Sequence, residues 1–217
     1  MKYRCLILDH DDTVMNSTAT VHYPSFVEYM KIYKPAVHYT LEEYFRYNSD
    51  PGVVTFFRDM VGLTDEELKH EELFWKAYAE SHLPQAFPGI HDLLWQYKDE
   101  GGIIAVVSHS FRHNILRDYV ENDLPYPDAI YGWDLPAEQR KPDPYAVFDI
   151  LERFSLKKEE VLVVDDLKPG SVMAKSAGVP FAAAGWANDV PEIDTYMRAH
   201  SDFYFKTVTE FARFMQE

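Results

Sequence analysis

The chain has 217 residues, of which 47% are hydrophobic and 26% charged, enough material for one large domain or a core with an insertion. With 36 acidic residues against 21 basic ones, its formal net charge of −15 repels phosphate backbones and argues against a nucleic-acid partner, while small anionic substrates stay open. A single cysteine, Cys5, excludes an intramolecular disulfide and a thiolate metal cluster. The first apolar run is too short for a signal peptide and no stretch approaches the ~20 apolar residues of a membrane span, so a soluble, cytoplasmic protein with no membrane partner is expected.

In chain order, Tyr3 to Leu8 is a continuous apolar run without alternation, the pattern of a strand buried on both faces of a parallel sheet. It stops at Asp9-His10-Asp11-Asp12-Thr13. From about Met15 to Leu83 only amphipathic helical patterns occur, punctuated by Pro24, Pro35 and Pro51-Gly52. The clearest of them opens with Thr64-Asp65-Glu66-Glu67, a capping box, and runs through Leu68, Phe74 and Tyr78. Pro84 and Pro88-Gly89 mark the return to alternating elements. A helix is expected over His91 to Lys98, a strand over Ile103 to Val107 ending in Ser108, and a helix over Arg112 to Tyr119. Then come helix Tyr145 to Phe154, strand Val161 to Val164 ending in Asp165-Asp166, and helix Ser171 to Ala177. A weaker strand, Pro180 to Ala184, and a closing helix from Thr207 complete the chain. Strands alternating with helices give an α/β fold, a Rossmann-like parallel sheet with helices on both faces. The expected division is a core of residues 1–14 and 84–217 with an inserted helical unit over 15–83.

Ligands of open parallel sheets bind beyond the carboxyl ends of the strands. Three strands here end in polar side chains: Asp9 with Asp11, Ser108, and Asp165 with Asp166. A fourth element, Lys141-Pro142-Asp143-Pro144, precedes a helix. Crowded carboxylates need a cation, and an oxygen-only set suits Mg²⁺. Lysine neutralises phosphoryl oxygens and a serine hydroxyl donates to one. One carboxylate can attack phosphorus, and another two residues along can protonate the leaving oxygen and then activate water. Taken singly, each element reads as a turn, a cap or a solvated charge; their joint occurrence at strand ends points to one site.

These motifs resemble the haloacid dehalogenase-like superfamily of phosphohydrolases, in its phosphoglycolate phosphatase and β-phosphoglucomutase-like subgroup. The first motif resembles Asp-x-Asp-Gly-Thr, the second is the strand ending in Ser108, the third Lys141, and the fourth Val161 to Asp166. The segment Tyr126 to Gly132 resembles the strand placed before the lysine, and the helical insertion sits where the family's C1-type cap is found. The resemblance implies Asp9 as nucleophile, Asp11 as general acid/base, Ser108 as a phosphoryl ligand and Lys141 as the stabilising charge. It implies Mg²⁺ held by Asp9, Asp166 and the backbone carbonyl of Asp11, with Asp165 as an outer partner. Two departures stand out. Asp12 replaces the usual glycine, a position where aspartate tolerates left-handed backbone; Asp165 replaces a common glycine, while Gly170 sits where a further acid is often found.

The expected function is a Mg²⁺-dependent phosphatase of a small phosphorylated metabolite, acting as a monomer or homodimer. The alternatives are a phosphomutase of the same family and a catalytically weak phosphate-binding relative. A receiver-type phospho-acceptor shares the parts but is too short for the insertion. Of the other signals, His109 and His113 could share a helix face but lack the glutamate of a metalloprotease helix, so both read as capping and surface polarity. His10 reads as packed beside its strand, and Phe56, Phe57, Phe74 and Trp75 as core. Arg46, Arg58 and Lys31 could reach a substrate anion, though such residues are mostly solvated.

Overall fold

Cys5–Leu8 forms the first strand, β1, in a computed structural model that describes residues 2–217. The other strands are β2 (Ile103–Val107), β3 (Ala129–Tyr131), β4 (Val161–Asp165), β5 (Phe181–Ala184) and β6 (Phe203–Phe205). They make one sheet in the order β3-β2-β1-β4-β5-β6, with every neighbouring pair parallel. The order reverses at β1, which pairs with β2 on one side and β4 on the other; such a switch point opens a crevice at the carboxyl edge.

Both faces of β1 are covered, which explains its unbroken apolar run. Side chains alternate across a strand, so Cys5 and Ile7 join one core with Val161, Val163 and Ala105. Leu6 and Leu8 join the other with Ile104, Val106, Leu162 and Val164. The helices Ile90–Asp99, Arg112–Glu121, Tyr145–Arg153, Lys168–Ala177 and Val208–Gln216 fall where the sequence pattern puts them, with ends shifted by up to three residues. The pattern overlooks β6, a three-residue, half-buried edge strand, and helix Pro191–Ala199. Among the described residues no helix is long and apolar enough to cross a membrane.

Between β1 and β2 the chain is helical, chiefly Tyr23–Tyr33, Leu41–Tyr47 and Asp65–Ser81. This stretch has its own aromatic core, built on Phe26, Tyr29, Tyr44, Phe56 and Phe57. The capping box at Thr64 forms: Glu67 N donates to Thr64 Oγ1 at 3.3 Å, and Thr64 N to Glu67 Oε2 at 2.8 Å. The two passages joining this stretch to the sheet lie side by side, with Asn16 N donating to Gln85 O at 2.9 Å and Phe87 N to Val14 O at 3.0 Å.

Glu71, on helix Asp65–Ser81, is only 8% exposed and takes no hydrogen bond or ion pair among the described residues. Burial, with a smaller push from Glu72 and an opposing pull from His22, raises its carboxyl from the ordinary 4.5 to about 7. A raised carboxyl stabilises the fold fully below the unfolded value and loses that contribution as pH rises through the folded one. The difference is worth about 3 kcal/mol. Denaturation of wild type and Glu71→Gln is therefore expected to agree below about pH 4.5 and to diverge progressively up to about 7, with the variant the more stable. Parallel curves across that window would contradict this.

Candidate active site

Asp9 is the first residue beyond β1, buried, and its N–H donates to Val164 O at 2.9 Å, which pins the strand end against β4. The register that pairs Leu8 with Val164 sets Asp9 beside Asp165, the last residue of β4. Lys141, 8% exposed, reaches between them: its Nζ lies 2.8 Å from Asp9 Oδ1 and 2.7 Å from Asp165 Oδ2. Burial alone would lower the lysine, but the charges of Asp165 and Asp9 outweigh it and hold the ammonium above its usual range. The contact to Asp165 is a hydrogen bond; that to Asp9 has the distance of an ion pair without the alignment, so Asp9 Oδ1 is a buried oxygen lacking a donor.

Asp165 and Asp166 have different surroundings. Both oxygens of Asp165 are engaged, Oδ2 by Lys141 and Oδ1 by the N–H of Leu167 at 2.9 Å. Among the described residues Asp166 receives only the distant hydroxyl of Thr13, at 3.5 Å. Burial, then the carboxylates of Asp12, Asp165 and Asp9, pushes its carboxyl well above the usual range. Carboxylate oxygens of Asp9, Asp165 and Asp166 all lie within 4.8 Å of one another. A crowded set of buried oxygens, one without a donor and with a single lysine as countercharge, fits a hard, oxygen-preferring cation.

Gly170 explains the arrangement of Asp165. A Cβ at position 170 would stand 2.2 Å from Asp165 Cγ and 2.4 Å from its Cβ, so this aspartate fits only over a glycine. The aspartate at 165 and the glycine at 170 are thus one packing solution. Gly170→Ala is expected to cost about 1–3 kcal/mol in urea unfolding, and much less in an Asp165→Gly background. Equal costs in the two backgrounds would refute this coupling.

Asp11 faces the other way. Its Oδ1 accepts from Ser17 Oγ at 2.7 Å and lies 3.2 Å from His22 Nε2, while Oδ2 accepts from Ser110 Oγ at 2.5 Å. His22 is oriented from behind: the indole N–H of Trp75 donates to its Nδ1 at 2.9 Å. Indole is only a donor, so Nδ1 accepts and Nε2 carries the proton toward Asp11. Burial would raise the Asp11 carboxyl, but the hydrogen bonds from His22 and Ser110 prevail and hold it below the usual carboxylate range. Asp12 adopts left-handed backbone at φ 60°, as expected of a residue in the glycine position, and accepts the N–H of Thr18 at 3.0 Å. Ser108 follows β2 directly, buried, its Oγ accepting the N–H of Ser110 at 3.1 Å.

The whole chain now bears comparison with known proteins. It matches the family described as haloacid dehalogenase-like hydrolase over residues 6–184. The chain belongs to this family. Among haloacid dehalogenase-like relatives, phosphoglycolate phosphatase 1 of Pseudomonas aeruginosa is 32% identical over 126 residues, 56% of this chain and 46% of that protein. The chain spans about half the length of the curated relatives it matches first. A Bacteroides fragilis structure provisionally assigned to the haloacid dehalogenase-like hydrolases superposes with a TM-score of 0.78 at 23% identity, covering 97% of this chain and 100% of that one. CbbY from Rhodobacter sphaeroides, solved in complex with phosphate, gives 0.66 at 20% identity, with 94% of each chain covered. At these identities the structural likeness carries the fold alone.

Several sequence readings are refined within the haloacid dehalogenase-like frame. Ser17, His22, Ser110 and Trp75 were not singled out as site residues, and Trp75 is more than core. His109 precedes helix Arg112–Glu121 rather than sharing it with His113, and its Nε2 lies 2.9 Å from Lys141 O, an acceptor to which it donates. Arg46 pairs with Glu42 and Glu192, Arg58 with Asp65, and Lys31 with Glu28. None of these three cations is free to meet a substrate anion without breaking an ion pair.

Proposed function

We propose that this hydrolase is a Mg²⁺-dependent phosphatase that cleaves a small phosphorylated metabolite through an aspartyl-phosphate on Asp9. The observation that carries this reading is Asp9 at the sheet's switch point, with Lys141 at 2.8 Å and a second carboxylate, Asp11, two residues along. Asp9, Asp166 and the backbone carbonyl of Asp11 would hold the cation, with Asp165 kept outside by its bonds to Lys141 and Leu167. When bound, Mg²⁺ offsets the charge of the carboxylates and of the phosphoryl group.

A carboxylate oxygen of Asp9 attacks phosphorus, and the bond from phosphorus to the leaving oxygen breaks as Asp11 delivers a proton to that oxygen. Lys141 balances the charge on the phosphoryl oxygens, and the Ser108 hydroxyl donates to one of them. Water then attacks phosphorus, gives its proton to Asp11, and phosphate leaves as the bond to Asp9 breaks. The bonds from His22 and Ser110 favour the carboxylate form of Asp11, the form this second step requires, whereas the first step needs the carboxyl protonated against that preference.

Residues 15–83 act as a cap over this site, closing with His22 and Trp75 against Asp11 and excluding bulk water. The similarity to phosphoglycolate phosphatase 1 of Pseudomonas aeruginosa supports a small organic phosphate as substrate. Phosphate release from a panel of small phosphate esters, in Mg²⁺ and in chelator, tests the reading. Metal-dependent release from at least one ester is expected, and release that persists fully in chelator would overturn the metal assignment.

A further inference from the structure

His10 stands between Asp9 and Asp11, yet its side chain turns away from both into the interior and is 1% exposed. A buried imidazole where an apolar residue would pack costs free energy unless it is paired. His10 Nε2 lies 2.9 Å from Asp118 Oδ2. The other oxygen of Asp118 takes Arg117 Nε at 2.8 Å and Nη2 at 2.6 Å. Arg117 Nη1 donates onward to the carbonyls of Ala79 at 2.8 Å and Glu80 at 3.2 Å, in the last turn of helix Asp65–Ser81. At the near end, the carbonyl of His10 accepts the N–H groups of Val14 at 3.1 Å and Met15 at 2.9 Å. His10 is therefore the base of the turn that displays Asp11, Asp12 and Thr13.

We propose that His10 and Arg117 are positioning residues: the line Arg117–Asp118–His10 ties the Asp9–Asp11 turn to the end of helix Asp65–Ser81, so the placement of the reacting carboxylates follows the placement of that helix. Its catalytic consequence rests on the reading of Asp9 and Asp11 given above. The same helix carries Trp75, which orients His22 against Asp11. Helix and turn thus meet twice, once through His22 across the site and once through Asp118 behind it. Side-chain networks of this kind act together, so removing either end releases the other.

Arg117→Met tests the linkage because Arg117 touches neither the turn nor a substrate. Amide exchange at Val14 and Met15, followed by mass spectrometry, is expected to quicken about tenfold in this variant. The kcat for phosphate release is expected to fall about tenfold with KM little changed. His10→Leu should reproduce both effects, the double variant should add nothing further, and His10→Gln, which keeps a donor toward Asp118, should recover most of the loss. Variants that lower the melting temperature while leaving turn exchange and kcat unchanged would overturn the proposal, as would losses that multiply in the double variant. A wild-type protein that releases no phosphate from any ester would sink the phosphatase reading, and the exchange comparison would still decide the linkage.

Discussion

Asp9→Asn is expected to lower kcat for phosphate release by at least about 10³-fold with the fold intact. Asparagine keeps the shape of the side chain and removes the anionic oxygen proposed to attack phosphorus. Asp9 is buried beside Lys141 and the carboxylates of Asp165 and Asp166, so the substitution also removes one negative charge from a crowded set. The variant should therefore unfold no more easily than wild type in the absence of divalent cation, and circular dichroism with thermal melting checks this beside the kinetics. Loss of turnover together with loss of fold would leave the catalytic role of Asp9 unsupported.

Lys141→Met should be the most damaging change for stability. Lys141 is the one ammonium between Asp9 and Asp165, at 2.8 and 2.7 Å, and it is 8% exposed. Breaking a buried ion pair by removing one partner costs about 3–5 kcal/mol, because the remaining charges are left buried without compensation. Burial already raises the Asp165 carboxyl to about 6, and losing its countercharge raises it further above the unfolded value. The sign follows: the damage is small at low pH, where Asp165 is protonated in both states, and grows as pH rises through its raised folded value. Chemical denaturation at pH 5 and pH 8 should show the larger loss at pH 8, partly restored by Mg²⁺. A loss equal at both pH values would contradict the assignment. Turnover should fall by about 10²-fold or more, since in the proposed reaction the lysine charge faces the transferring group.

The central strands were legible because β1, β2 and β4 are buried on both faces and so carry unbroken apolar runs, and their polar ends read directly as a candidate site. The edge was not legible. Phe203–Phe205 is only three residues long and half-buried, too short to carry a period. The partners of Asp11 were hidden for a different reason: Ser110 lies 99 residues from it and Trp75 lies 53 from His22, so no local spacing announces either contact. Nothing in the sequence distinguishes Asp165 from Asp166; the bond from Lys141, which reaches the first and not the second, comes from a residue 24 positions away. His10 was correctly read as packed beside its strand, but its partner Asp118, 108 residues away, gives that packing its purpose.

The central claim, a covalent phosphoryl group on Asp9, is tested most directly in Asp11→Asn with an aryl ester whose leaving oxygen needs no proton, so that the nucleophile acts while the base needed for the second step is gone. The variant is mixed with that ester and Mg²⁺, quenched in acid within the first turnover, digested and weighed. The peptide carrying Asp9 should gain the mass of one phosphoryl group, and this gain should vanish in Asp9→Asn. Continued phosphate release by a protein whose Asp9 is never modified would contradict the account.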